Sequence, residues 1–181
     1  VGAYAMQNWV SGNYNIGIGY DALRGAGSCT GNIGIGRAAL GAAVSGSYNT
    51  ALGYTSLINV TSGANNVALG ASAGTTLTTG TNNILIGASV NASGAAANNE
   101  LNIGNWIYGT NGSIGIGTAT PQNKLEITQG TAGNSGLRFT NLTSSETAAA
   151  SSGKVLSVNA NGDVVLEVAG SGGGSGDGSE T

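Results

Sequence analysis

The side chains most often used for chemistry are scarce in this chain. It has no histidine and a single cysteine, Cys29. That removes the usual general base near neutral pH and the commonest metal ligand. A lone cysteine can form neither an intrachain disulfide framework nor a paired-thiolate zinc site, so Cys29 reads as a small filler. The carboxylates Asp21, Glu100, Glu126, Glu146, Asp163, Glu167, Asp177 and Glu180 are scattered. None has the spacing of an acid pair or a calcium loop. The many Gly-x-Gly pairs lack the Gly-Lys-Ser/Thr and the helix pattern that a phosphate loop requires. The expectation is therefore no catalytic residue, no metal and no cofactor: not an enzyme.

What remains for recognition is aromatic and basic. Tyr20, Arg37 and Tyr54 each follow a recurrent glycine and would stack on one another; Tyr14 and Tyr48 share a second column. Trp106 and Tyr108 come together further on. Tyr, Trp and Arg on a rigid scaffold are frequent binding hot spots, so these seven are the candidate surface-binding residues. Packing is the plainer expectation for each: turn packing for the first five, cap core for Trp106 and Tyr108. Asn-x-Ser/Thr sequons at Asn59, Asn91, Asn111 and Asn141 are what an Asn- and Thr-rich chain yields by chance.

These residues are positioned by a repeat. Asn-Ile-Gly-Ile-Gly at Asn15–Gly19 returns unchanged at Asn32–Gly36, and returns loosened at Asn49–Gly53, Asn66–Gly70 and Asn83–Gly87. The step is 17 residues without insertion, and the glycine series extends from Gly2 through Gly19, Gly36, Gly53, Gly70 and Gly87 to Gly104. A fixed period of this size means a solenoid, here of seven coils.

The columns specify the coil. Ile16, Ile33, Thr50, Val67, Ile84 and Leu101 stand three before the glycine; Ile18, Ile35, Leu52, Leu69, Ile86 and Ile103 stand one before it. Alternation of this kind is a strand. Between them Gly17, Gly34, Ala51 and Ala68 leave the other face nearly bare, which suggests a subunit contact there. Met6, Leu23, Leu40 and Leu57, with Trp9, Ala26, Ala43, Val60 and Leu77, supply a second wall. Gly12, Cys29, Gly46, Gly63, Gly80 and Ala97 form a small-residue column that suits a tight turn needing positive φ. Asn15, Asn32, Asn49, Asn66 and Asn83 recur at coil spacing, where amides about 4.8 Å apart can bond along the stack as a ladder.

Asn-x-Ala-Ile-Gly repeats followed by small-residue turns resemble the head repeats of trimeric autotransporter adhesins of the YadA type. Similar repeats occur in phage and contractile-injection tail fibres. The resemblance covers Val1 to about Gly112 and implies an all-β fold: a left-handed parallel β-roll, assembled as a homotrimer. The 17-residue period is longer than is typical of those heads, which implies longer turns.

After Gly104 the register breaks, and the motif returns after 13 residues as Ser-Ile-Gly-Ile-Gly at Ser113–Gly117. It runs into Pro121 and Lys124–Ile127, a stretch that resembles a connector common in phage tail fibres. Pro lacks a donor and is expected to end the ladder. Four segments follow: a β-roll over 1–112, a connector or cap over 113–129, a small distal β module over 130–168 and a Gly/Ser-rich flexible tail over 169–181. Within the module, Leu137–Leu142 reads as a strand, and Lys154–Val158 and Val164–Val168 as a hairpin with Asn161-Gly162 at its tip. This segment also resembles a module seen late in tail-fibre proteins.

Bulk composition narrows the partners. With 34 glycines, 7% charged residues and a net charge of −3, there is no basic patch to displace counterions from nucleic acid. No apolar run is long enough for a helix to cross a bilayer, and no signal peptide is visible. Beginning at Val1, the chain reads as a fragment or a processed product. The expected role is a structural and adhesive fibre segment, extracellular, on a virion or injection-particle tail fibre. Its expected partners are two further copies of itself, other fibre components and a cell-surface receptor or glycan. The alternatives are a bacterial trimeric adhesin head on the cell surface, an ice-binding solenoid, for which Thr75–Thr79 offers only a local threonine run, and a polysaccharide-degrading fibre enzyme.

Overall fold

The computed structural model describes residues 2–25, 27–43, 45–128, 154–158 and 164–168. The described residues contain strands and turns and no helix. The chain divides into two compact units, Val1–Leu137 and Arg138–Thr181.

The first unit is a β-solenoid. Strands β1 (Ile16–Ile18), β2 (Ile33–Ile35), β3 (Thr50–Leu52), β4 (Val67–Leu69), β5 (Ile84–Ile86) and β6 (Leu101–Ile103) pair in parallel, each with the next. Ile16 lies opposite Ile33, and every later pair repeats that step. Six such strands enclose about five turns, not the seven coils counted from the glycines. The stretch around Gly2 supplies turns that bond to the next coil, Met6 N–H to Ala22 O at 2.9 Å, but no strand. At the spacing of paired strands the five steps span about 24 Å.

Two inferences about the coil are reversed. The Gly/Ala column points inward and the aliphatic columns point outward. Ala51, Ala68 and Leu85 are fully buried, whereas Ile16, Ile18, Leu52 and Ile84 are each more than 40% exposed. The bare face is therefore no subunit contact. It closes the interior against Leu23, Leu40, Leu57, Ala43, Val60 and Leu77, all inaccessible or nearly so. A coil this thin has room for one layer of large side chains, and the second wall supplies it. Where the inner column enlarges to Leu85, the facing wall shrinks to Gly74; a Cβ there would run into Leu57 and Leu85.

The small column has a different cause from the one expected. Gly12 takes the expected positive φ, 113°, but Gly46, Gly63 and Gly80 do not; a Cβ on any of the four would overlap the carbonyl of the next coil. Positive φ belongs to the glycine that ends each strand, with Gly19 at 126° and Gly53 at 144°. It also falls on bulky residues: Leu23, Leu40 and Leu57 have φ of 50°, 53° and 48°, and Asp21, Ala38 and Thr55 lie between 52° and 57°. Side chains disfavour that region. Stacking holds them there, since Leu23 N–H bonds to Ala39 O and Leu40 N–H to Ser56 O on the following coil.

The sheet does not stop at Gly104 or at Pro121. Strand β7 (Ile107–Thr110) turns back antiparallel on β6, β8 (Ser113–Ile116) turns back on β7, and β9 (Leu125–Ile127) joins β8 in parallel. The 113–129 stretch thus supplies two strands to the same nine-stranded sheet, and the ladder resumes after Pro121. In the second unit, β10 (Lys154–Val158) pairs antiparallel with β11 (Val164–Val168), Lys154 opposite Val168. The expected Leu137–Leu142 strand, the Asn161-Gly162 tip and the 169–181 tail lie outside the described residues.

Candidate functional site

The recurrent asparagines form a buried column. Asn32, Asn49, Asn66 and Asn83 are inaccessible, and Asn15 begins the series partly exposed. Each Oδ1 accepts the backbone N–H one coil on: Asn15 from Asn32 at 2.9 Å, Asn32 from Asn49 at 2.8 Å, Asn49 from Asn66 at 3.0 Å, Asn66 from Asn83 at 3.0 Å. Asn83 accepts from Glu100 N–H at 3.0 Å. Each Nδ2 donates to the small-residue column, as Asn49 does to Gly63 O at 2.8 Å and Asn66 to Gly80 O at 2.9 Å. Asparagine suits the position because its amide carries both an acceptor and donors on a short stem. Gly19, Gly36, Gly53, Gly70 and Gly87 close each strand beside it. The asparagine column is closed to a ligand from Asn32 to Asn83, and the glycines are half-buried.

Cys29 belongs to the same interior. It is buried, and desolvation pushes its thiol pKa up against a smaller opposing hydrogen bond with Asn32. A thiol held protonated is a poor nucleophile.

Four of the outer residues, Tyr4, Tyr20, Arg37 and Tyr54, form a row. Arg37 lies between two rings, 5.8 Å from the Tyr20 centroid and 5.4 Å from that of Tyr54, and its Nη1 donates to Tyr54 Oη at 3.0 Å. Tyr4 extends the row edge-on to Tyr20 at 5.5 Å. Tyr4 escapes the repeat columns because it stands two after Gly2, not one. Tyr48 packs over Gly31, where a Cβ would collide with its ring, while Tyr14 projects into solvent at 86% exposure.

No protein-family model, no curated protein and no solved structure matches the chain.

The outward strand columns make a second surface. Paired residues share a face, so Ile18, Ile35, Leu52, Leu69, Ile86, Ile103, Ile107, Ile116 and Ile127 form one line across the sheet. Ile16 to Leu101 form the parallel line, continued past Gly109 by Ile114 and Leu125. No Asp, Glu, Lys or Arg interrupts either line. Ile16, Ile18, Leu52, Ile84, Ile114, Ile116 and Leu125 are the exposed members of these lines, the others are half-buried, and Thr50 is the polar residue among them.

At the end of the coils Trp106 and Tyr108 part company. Trp106 sits on the β6–β7 turn at 76% exposure, which removes it from any cap core. Tyr108 is half-buried, lies opposite Asn102 in the sheet, and donates its hydroxyl to Asn105 O at 2.8 Å. Asn102 occupies the inward column that earlier coils fill with Gly, Ala or Leu. Its Nδ2 donates to Asn91 O at 2.9 Å and its Oδ1 accepts from Asn105 N–H at 3.0 Å. Those bonds turn the chain back on itself. A polar residue in an apolar column is the sequence signal for this closure. Thr75, Thr76 and Thr78 spend their hydroxyls on Asn91, Ala92 and Ala95 of the next coil, unlike a free flat threonine array.

Proposed function

We propose that the chain is a segment of a trimeric surface-attachment fibre, of the phage-tail or contractile-injection type, built as a left-handed roll. The observation that carries this reading is the outward aliphatic face: two uncharged lines of Ile, Leu and Val, broken by Thr50, run across the solenoid sheet, partly or fully exposed in one chain. Three copies arranged around an axis would cover those lines and bury the apolar area that a thin single coil leaves in water. The resemblance of the Asn-x-Ala-Ile-Gly repeat to adhesin heads supports the same assembly. Attachment then works by avidity, with three identical weak sites held at one effective concentration. The Tyr4–Tyr20–Arg37–Tyr54 row, with Tyr14, Tyr48 and Trp106 exposed, offers side chains of the kind used at contact surfaces.

Light scattering on the full chain tests the assembly. A mass of three chains is expected, and Leu52→Lys with Ile18→Lys should reduce it to one chain while circular dichroism keeps the β signature. A folded wild-type monomer overturns the trimer and the avidity argument with it.

A further inference from the structure

The inner face of the sheet is walled by coils as far as β6, and beyond it the wall is gone. Because paired residues share a face, the inward column Ala68, Leu85, Asn102 continues through Tyr108 and Gly115 to Glu126. Past Asn102 no coil supplies a second wall, and only Thr118 closes over the column, at Gly115. A groove of about 460 Å3 opens there, within the usual range of about 300–1,000 Å3 for small-molecule sites. Asn102 and Tyr108 of the sheet, Asn91 and Ser93 of the last coil, and Thr120 and Gln122 all line it.

The lining selects a chemistry. It includes amides from Asn91, Asn102, Asn111 and Gln122, hydroxyls from Thr110 and Thr120, and one phenol ring. No Lys or Arg lines the groove, so an anionic ligand would find no counter-charge. Its one carboxylate, Glu100, is already held by Ser93, accepting from both the backbone N–H and the hydroxyl. Gln122 is anchored by its Nε2 on Thr120 O at 3.0 Å and by its N–H on Glu126 Oε2 at 2.6 Å. Asn91 and Asn102 spend their amides within the fold, so the groups left to donate and accept are those of Thr110, Asn111, Thr120 and Gln122, which with the Tyr108 ring match a ring carrying vicinal hydroxyls and C–H bonds.

We propose that this end groove binds a neutral oligosaccharide, one per chain. The proposal rests on the attachment reading above and gives it a ligand class and a place. The groove takes Asn102 and Tyr108 from the inward column and Leu101 and Gly109 from the outward line, so it borders the surface through which the chains would assemble. Trimerisation would then present three such grooves at one end of the coil stack.

The test is saturation-transfer NMR on the full chain. The probes are neutral di- to tetrasaccharides of galactose, glucose, mannose and N-acetylhexosamines, with sialyllactose as an anionic comparison. At least one neutral probe is expected to bind. Tyr108→Ala and Gln122→Ala should each weaken it by about ten-fold, as loss of a hot-spot contact does. Tyr108→Phe keeps the ring and should bind like the wild type, which separates the ring from the fold. Tyr20→Ala and Tyr54→Ala should change nothing. Binding by no neutral probe, by sialyllactose alone, or binding lost only in the Tyr20 and Tyr54 variants overturns the proposal. Mass measured on the same samples keeps the two readings apart. A monomer that binds sinks the trimer alone, and a trimer that binds nothing sinks the groove alone.

Discussion

Asn49→Ala removes four side-chain hydrogen bonds from the middle of the coil stack. Two run from its Nδ2, to Asn32 Oδ1 at 3.2 Å and to Gly63 O at 2.8 Å; two arrive at its Oδ1 from Asn66, each at 3.0 Å. The neighbours do not suffer equally. Asn32 Oδ1 keeps the Asn49 backbone N–H, and Asn66 Nδ2 keeps Gly80 O. Asn66 N–H and Gly63 O lose the side-chain partner that satisfied them, inside a coil that water does not reach. A buried polar group left unpaired costs about 1–3 kcal/mol, so the two together cost about 2–6 kcal/mol. Asn15→Ala is the internal comparison. It cuts the equivalent bonds to Asn32 N–H and Cys29 O at the partly exposed end, where water substitutes, and should cost about 1 kcal/mol. Urea unfolding followed by far-UV circular dichroism, at one chain concentration so that assembly does not enter the difference, reads both. An Asn49→Ala loss no larger than that of Asn15→Ala would refute the claim that the amide column holds the coils together.

Asn49→Asp keeps the acceptor and sets a carboxyl against Gly63 O, so the buried acid favours its protonated form and its folded pKa rises above the unfolded value. A raised acid pKa gives stability present below about pH 3.9 and lost as pH climbs through the folded value; melting at pH 3 and pH 7 should show the variant relatively stronger in acid. Leu85→Ala should cost about 2–5 kcal/mol as a cavity, and Gly74→Leu should clash; the double variant should recover part of both losses, measurable as a coupling energy in a double-mutant cycle. Cys29, buried with its pKa raised by desolvation, should resist iodoacetamide at pH 8 until urea is added. The thiol's contribution to stability, present below its ordinary value near 9, should fall as pH rises through the folded value, which thermal melts across pH 8–11 would follow.

Much of the solenoid is legible in the chain because a period is a property of sequence alone. The step between Asn15, Asn32 and Asn49 sets the strand register, and the Leu23, Leu40 and Leu57 column names the wall that fills the coil. Alternation, however, says which residues share a face and not which face is inside. The Ile16 and Ile18 columns look like core by hydropathy. They lie outside because a coil already filled by leucines has space opposite only for Gly or Ala, an argument from volume that composition by column could have supplied. The reason for small residues at Gly46 and Gly63 was hidden for a related cause: it is the approach of a neighbouring backbone, which no local propensity encodes. The groove was invisible because its walls, near Asn91, Tyr108 and Gln122, are far apart in the chain and meet only where Asn102 reverses it.

Strand pairing and the amide column both advance by 17 residues without a remainder. An inserted or lost residue inside a coil would leave some backbone carbonyl without its neighbour, whereas the duplication of 17 codons reproduces every contact it interrupts. Near-identical units such as Asn15–Gly19 and Asn32–Gly36 are also sites where unequal recombination can align out of step by one unit. Reach in such an array is inherited in whole coils of about 4.8 Å each, so a lineage can lengthen or shorten the distance between its two ends without redesigning a single interior residue.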